Sequence, residues 1–244
     1  MEKALQDKVI VITGASGGIG KAIAKNLANN GASLLLLGGK NAQKLLDFEN
    51  ELKNDGVNCV AVPGNLTDDK TIDNGLKICL EKFNKVDVLI NNAGTATNCP
   101  FSQVTKSQFD EIMELNAKAP FFITQKFLPY IKQSKSATIV NIASIVGHNG
   151  YPNQSIYSAS KHALIGWSKA LANELYKENV RVHVISPGGV YTDMIKITRP
   201  DLTGEGMIMP EDIAKIVEFM LVNRTNAIID EIIVHRAGKE PFLA

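Results

Sequence analysis

The sequence predicts an α/β fold of a single domain, a doubly wound parallel sheet of about seven strands with helices on both faces. Three observations lead there. Short apolar runs alternate with longer amphipathic segments along the chain, the pattern of parallel strands joined by crossover helices. The runs are apolar through most of their length, as strands are when helices cover both faces. The chain has 244 residues, 45% of them hydrophobic, enough to bury one sizeable core. No Ser/Gly/Pro-rich linker, low-complexity stretch or internal repeat divides it.

In chain order, strands are expected at residues 9–13, 33–37, 59–62, 86–91, 137–142, 180–186 and 228–234, where β-branched residues and leucine concentrate. Helices are expected between them at 18–30, 41–55, 68–83 and 154–177. Pro210 opens the last helix, because proline at the first helical position sacrifices no hydrogen bond. Residues 191–209 mix Thr, Pro, Gly and charged side chains, which predicts a substrate lid rather than a domain boundary.

Twenty-six Lys and Arg against 25 Asp and Glu leave a formal charge of +1, so there is no basic field to hold a polyanion, and nucleic acid is not an expected partner. No run approaches the ~20 apolar residues that span a bilayer, and the opening MEKALQDKVIVITG has too short an apolar stretch for a signal peptide. A cytoplasmic chain without a membrane partner is expected. Cys59, Cys79 and Cys99 lie far apart with no CxxC pair; they read as buried or free thiols, and no metal site is expected.

The first strand runs directly into Thr13-Gly14-Ala15-Ser16-Gly17-Gly18-Ile19-Gly20, and helix formers follow from Lys21. Strand, glycine turn and helix form a Rossmann-type context. Glycine lets the backbone approach a pyrophosphate, and the free N–H groups of the helix N-terminus favour its charge. Gly14, Ser16, Gly18, Ile19 and Gly20 are therefore candidate cofactor-binding positions.

A second group of residues carries proton chemistry. Reducing a carbonyl needs a proton on oxygen as well as a hydride on carbon, and a free tyrosine with a pKa of about 10 exchanges protons poorly near neutrality. Of the five tyrosines, only Tyr157 has lysine four residues later, at Lys161. On a helix that spacing puts the two side chains on one face, where the ammonium favours phenolate. Ser144, at the carboxyl end of the fifth expected strand, stands where open α/β sheets bind ligands and can donate to a substrate oxygen. Read singly, Ser144 serves equally as a strand-end cap, and Asn116 as a helix-interior amide bonded to backbone.

The spacing Gly14-xxx-Gly18-x-Gly20 differs from the usual Gly-x-Gly-x-x-Gly fingerprint. Together with Asn91-Asn92-Ala93-Gly94, Asn116, Ser144, Tyr157-xxx-Lys161, Pro187-Gly188 and Thr192, it resembles the short-chain dehydrogenase/reductase family, in its single-domain branch and over nearly the whole chain. The resemblance implies an NAD(P)(H)-dependent oxidoreductase that interconverts a carbonyl, ketone or aldehyde, and an alcohol by hydride transfer, with Tyr157 as general acid/base. It implies that Lys161 also binds the nicotinamide ribose and that Asn116 holds a water relaying the proton. It further implies that Asn92, Ala93, Gly94, Pro187, Gly188 and Thr192 contact the cofactor, and that Asn65 and Leu66 lie at its adenine. Relatives pair through the two long helices, here 116–131 and 157–177, so a homodimer or homotetramer is implied; Phe121, Phe122, Trp167 and Leu171 serve either that contact or the core.

The acidic residue that selects NAD at the end of the second strand is replaced by Gly38-Gly39-Lys40. A carboxylate there would repel the extra phosphate of NADP, whereas Lys40 would reach it as a point charge. NADP(H) is therefore favoured. NAD(H) stays open, because Gly17 and Gly39 stand where NADP-using relatives often carry arginine. Asn65 stands where the family usually has Asp, and its amide carbonyl can accept the same hydrogen bond. The ending with His235-Arg236 is unlike relatives that reduce acyl-carrier-protein thioesters. A 3-oxoacyl-[acyl-carrier-protein] reductase is nonetheless the alternative enzyme, and a non-catalytic dinucleotide-sensing protein the alternative of another class. Substrate choice falls to 99–104, 148–155 and 191–209, where His148 reads as a solvated loop histidine.

Overall fold

The computed structural model describes residues 3–39, 41–198 and 203–239. Strands β1 (Val9–Thr13), β2 (Ser33–Leu37), β3 (Cys59–Val62), β4 (Val88–Asn91), β5 (Thr138–Ile142), β6 (Arg181–Pro187) and β7 (Glu231–Val234) form one sheet in the order β3-β2-β1-β4-β5-β6-β7. Every neighbouring pair is parallel. The helices are α1 (Gly18–Asn29), α2 (Ala42–Asn54), α3 (Asp69–Phe83), α4 (Lys106–Met113), α5 (Ala119–Ile131), α6 (Ser155–Leu175), α7 (Asp193–Thr198) and α8 (Pro210–Val222). This is the doubly wound, Rossmann-type single domain expected.

Successive strand residues feed opposite layers, because side chains alternate across a sheet. Ile10, Ile12, Leu34 and Leu36 pack with Ile23 and Leu27 of α1, Leu45 and Phe48 of α2, and Ile213 and Val217 of α8. Val9, Val11, Leu35 and Leu37 pack on the other face with Ile72 of α3, Ile123 and Phe127 of α5, and Leu175 of α6. Phe127 is fully buried. The strands are apolar through most of their length because both faces of the sheet are covered.

Three departures from expectation have a visible reason. β4 starts at Val88 rather than 86, because the Asp87 carboxylate takes the Val9 N–H at 2.8 Å where a ladder carbonyl would otherwise serve. β7 starts at Glu231 rather than 228: His183 Nδ1 pairs with the Ile229 carbonyl at 2.7 Å, so a side chain replaces the ladder there, and Ile228 and Ile229 are left exposed. The long helix expected from Asn116 is not uniform. A π-helical turn, Glu114–Lys118, joins α4 to α5 and contains Asn116. Such turns occur mostly as single bulges near functional sites.

The strand order reverses between β1 and β4. Chain leaving these two strands diverges to opposite sides and opens a crevice at the carboxyl ends, the usual ligand position in such sheets.

Candidate active site

The glycine turn between β1 and α1 is held by backbone geometry. Gly14 has φ +66° and Gly18 φ +51°, the left-handed region that only glycine enters without strain. A Cβ on Gly14 would lie 2.8 Å from Ala93 Cα, and one on Gly20 only 2.3 Å from the Gly14 carbonyl oxygen. The turn is clamped to β4: Asn92 Nδ2 donates to the Thr13 and Gly14 carbonyls at 3.0 and 3.2 Å, and Thr13 Oγ1 accepts from the Asn92 and Ala93 N–H groups, both at 3.0 Å. Helix α1 starts after Gly17 with no side-chain cap and no acid in its first turn. By contrast, Asn41, Asp68 and Thr105 cap α2, α3 and α4. The uncapped N–H groups of α1 thus face the crevice available to an anion.

The proton group lies across the same crevice. Tyr157 and Lys161 sit one turn apart on α6, with Lys161 Nζ 5.9 Å from the phenol ring centroid. Ser144 follows β5 in extended backbone, and its hydroxyl is hydrogen-bonded to Tyr157. Lys161 is buried and donates to the Ile142 carbonyl at 2.9 Å. Burial pushes its ammonium down to about 8. Burial also pushes the Tyr157 phenol above its ordinary value, with the Ser144 contact pulling the other way. The two side chains share the helix face that the Tyr-xxx-Lys spacing predicts. Burial, rather than the neighbouring charge, sets both shifts, and each group is moved towards its neutral form.

Asn116 does not line the crevice. Its Oδ1 accepts from Thr95 N at 2.8 Å, and its Nδ2 donates to Thr95 O at 2.8 Å and Ser160 Oγ at 3.1 Å. The amide is thus consumed in joining the π-helical turn to the loop after β4 and to α6, the backbone-bonded alternative. It still borders the site: a Cβ on Gly94 would stand 3.1 Å from Asn116 Oδ1 and 3.7 Å from Lys161 Nζ.

The crevice measures about 1070 Å³, room for a dinucleotide and a small substrate. Gly14, Ser16, Gly18, Ile19, Asn65, Leu66, Asn92, Ala93, Gly94, Pro187, Gly188 and Thr192 line it together with Ser144, Tyr157 and Lys161. Gly20 does not; its place is the close packing of α1 under the turn. Asn65 is exposed, and its Oδ1 already accepts from Thr67 N at 3.2 Å, leaving one lone pair for a ligand. Lys40 lies outside the described residues. A uncapped α1, a turn that admits only glycine and a crevice of this size are what a nicotinamide dinucleotide requires, so the residues present fit that group.

Among the lining residues not singled out from sequence are two cations. Lys44, on α2, brings its Nζ to 3.2 Å from where a Gly17 Cβ would be, in loose contact with Asp193 at 3.5 Å. Arg236, beyond β7, also lines the crevice. Lys44 comes four residues after Lys40 in the sequence, so the basic character of this segment was the available signal; the fold, not the spacing, selects the residue. His148 corrects the solvated-loop reading. It is half-buried, with Nε2 3.0 Å from both Ser186 Oγ and Glu231 Oε1, and it ties the turn after Ser144 to β6 and β7. Tyr151, not His148, lines the crevice.

Comparison with known proteins identifies the class. The family described as short chain dehydrogenase matches residues 8–203, and the chain belongs to it. An uncharacterised oxidoreductase of Staphylococcus aureus (strain USA300) is 35% identical over 230 residues, covering 94% of this chain and 97% of its own. A Staphylococcus epidermidis oxidoreductase, likewise uncharacterised, is 31% identical with the same coverage. Among solved structures, a dehydrogenase/reductase from Sinorhizobium meliloti superposes with a TM-score of 0.86 at 28% identity, covering 96% of this chain and 95% of its own. A levodione reductase also gives 0.86 at 25% identity, covering 94% and 96%. The protein is therefore an oxidoreductase of this family, which implies a nicotinamide dinucleotide cofactor.

Proposed function

We propose that the protein interconverts a small ketone or aldehyde with its alcohol, using NADP(H) in preference to NAD(H). The observation that carries the reading is the convergence of Ser144, Tyr157 and Lys161 on one crevice with the uncapped start of α1. The cofactor, when bound, supplies or accepts the hydride at the carbonyl carbon. In the reducing direction Tyr157 Oη gives its proton to the carbonyl oxygen, so the C=O bond becomes C–H and O–H; in the oxidising direction it takes that proton back. Ser144 Oγ donates a hydrogen bond to the same oxygen. Lys161 holds positive charge beside the phenol and binds the ribose. Asn116 positions the π-helical turn behind both.

Lys44 supports the preference for NADP(H). It fills the space beside Gly17 left by the missing arginine, and a 2′-phosphate is a stronger partner for its ammonium than exposed Asp193 at 3.5 Å. The crevice also favours a small carbonyl over an acyl-carrier-protein thioester. Its charged lining is four carboxylates, Asp110, Glu111, Glu114 and Asp193, against Lys44, Lys161 and Arg236, not the basic mouth an acidic carrier protein needs. One structural neighbour is named a reductase of levodione, in keeping with carbonyl reduction. Residues 191–198 and 203–209 act as the lid, with 199–202 of the expected segment outside the described residues: Thr192 to Ile195 line the crevice, and the Val190–Ile208 bridge closes its base. Half-exposed Phe121 and Phe122, with Phe121 edge-on to Trp167 at 5.7 Å, supply the apolar face for a homodimer or homotetramer.

The test is a panel of carbonyls and alcohols run with NADPH and NADH on wild type, Tyr157→Phe and Lys44→Ala. Tyr157→Phe is expected to lose about 10²–10⁴-fold in turnover while quenching or enhancing NADPH fluorescence as wild type does. Lys44→Ala is expected to weaken NADPH binding about tenfold and leave NADH binding unchanged. Wild-type turnover in Tyr157→Phe would overturn the assigned role. Absence of turnover across the panel with both cofactors would favour a dinucleotide-sensing protein.

A further inference from the structure

The part of the crevice formed by the chain after β6 and β7 holds a cation, Arg236, that the proton chemistry does not use. The Pro187 to Val234 pairing and the Gly188 N–H bond to the Val234 carbonyl at 2.8 Å carry the chain past β7, so that Arg236 stands beside Gly188 and Gly189. Gly189 keeps the opening clear: a Cβ there would approach Met207 Cε at 3.1 Å and Arg236 Nε at 4.0 Å. A Cβ on Gly188 would lie 3.7 Å from Ile145 Cδ1, and Ile145 adjoins Ser144. The guanidinium and the hydroxyl that faces the reacting oxygen thus belong to one continuous wall.

Arg236 is half-buried, and no carboxylate of the described residues pairs with it. Acids of the crevice and of β7 have other partners: Glu231 pairs with Lys169, Asp193 with Lys44 and Lys196, and Glu114 with Lys118. A half-buried, unpaired guanidinium is poorly solvated, and a planar carboxylate satisfies its parallel N–H donors in pairs. The charge is matched as well. Four carboxylates line the crevice against Lys44, Lys161 and Arg236 itself, so the one guanidinium suits a single negative charge better than a phosphate dianion.

We propose that Arg236 is the carboxylate-binding residue of the substrate crevice, and that the substrate is a small oxo acid or the corresponding hydroxy acid. This rests on the oxidoreductase reading above and names its substrate class. The experiment compares oxo acids, their methyl esters and phosphate-bearing ketones of similar size, with wild type, Arg236→Leu and Arg236→Lys. A parallel titration adds unreactive carboxylates to the protein–NADPH complex and follows cofactor fluorescence.

Wild type is expected to prefer the acid over its ester by at least about tenfold in kcat/KM. Arg236→Leu should lower kcat/KM for the acid about tenfold more than for the ester and so lose that preference, and Arg236→Lys should keep part of it. Equal use of acid and ester by wild type, equal loss on both substrates in Arg236→Leu, or a preference for the phosphate-bearing ketone would each overturn the proposal. The two readings fail differently. Arg236-dependent carboxylate binding without turnover of any carbonyl supports the anion site and removes the oxidoreductase reading. Turnover of neutral ketones without Arg236-dependent carboxylate binding does the reverse.

Discussion

Each end of the sheet buries a charge, and the two are treated in opposite ways. At the amino end, Asp87 is pushed up by burial, but the Ser134 hydroxyl, the Val9 N–H and the Lys85 ammonium outweigh this and hold it below its ordinary value. Every one of those partners comes from a different segment: β1, the loop before β4, and the loop before β5. At the carboxyl end, Lys161 has a single carbonyl acceptor among the described residues, Ile142 O, and burial pushes its ammonium down to about 8. A compensated charge strengthens the fold, because its ionised form is preferred in the native state. An under-compensated one costs stability and persists where chemistry needs it.

Breaking the contrast at its functional side should have the largest effect. Lys161→Met is expected to lower turnover by about 10²–10⁴-fold, with native stability at pH 7 equal to or above wild type, since it removes a poorly solvated ammonium; a calorimetric melt and a turnover assay on the same preparation check both. Breaking the structural side should do the reverse. Asp87→Ala leaves the buried Val9 N–H without its acceptor and is expected to destabilise by roughly 2–4 kcal/mol, with turnover per folded molecule unchanged; a urea titration alongside the assay checks it. A drop in turnover without loss of stability in Asp87→Ala would mean that the amino end also takes part in the chemistry.

The same contrast separates what the sequence displayed from what it hid. Gly14, Gly18 and Gly20 were legible because a residue type encodes the backbone they need, and Tyr157 and Lys161 because one helical turn brings residues four apart together. The seven-strand sheet was legible because most of its strand positions are apolar and covered on both faces. Other features depend on contacts between distant segments. Lys44 reaches Gly17 only after α2 packs beside the turn, and Arg236 enters the crevice only because β7 ends against Gly188. The π-helical turn around Asn116 leaves no periodic signature in five residues, and its amide proved to be bonded to Thr95 backbone. His148 looked like a solvated loop residue because its partners, Ser186 and Glu231, lie 38 and 83 positions away. The start of β7 was misplaced for a related reason: Ile228 and Ile229 are as apolar as the strand that follows, but His183 intercepts the carbonyl on which the ladder would begin.

The central claim, that Lys161 is a buried ammonium left under-compensated at the proton-transfer site, has a direct test. Its side chain can be followed by NMR through a pH titration of the cofactor-free protein, with the signal assigned by its disappearance in Lys161→Met. The sign follows from linkage: a lysine whose native pKa lies below its unfolded value near 10.4 releases its proton earlier in the folded state, so the fold gains stability as pH rises from about 8 towards 10.4. A midpoint near 8, with wild type gaining stability over that interval relative to Lys161→Met, is the predicted result; a midpoint near 10.4 with parallel stability curves would contradict it.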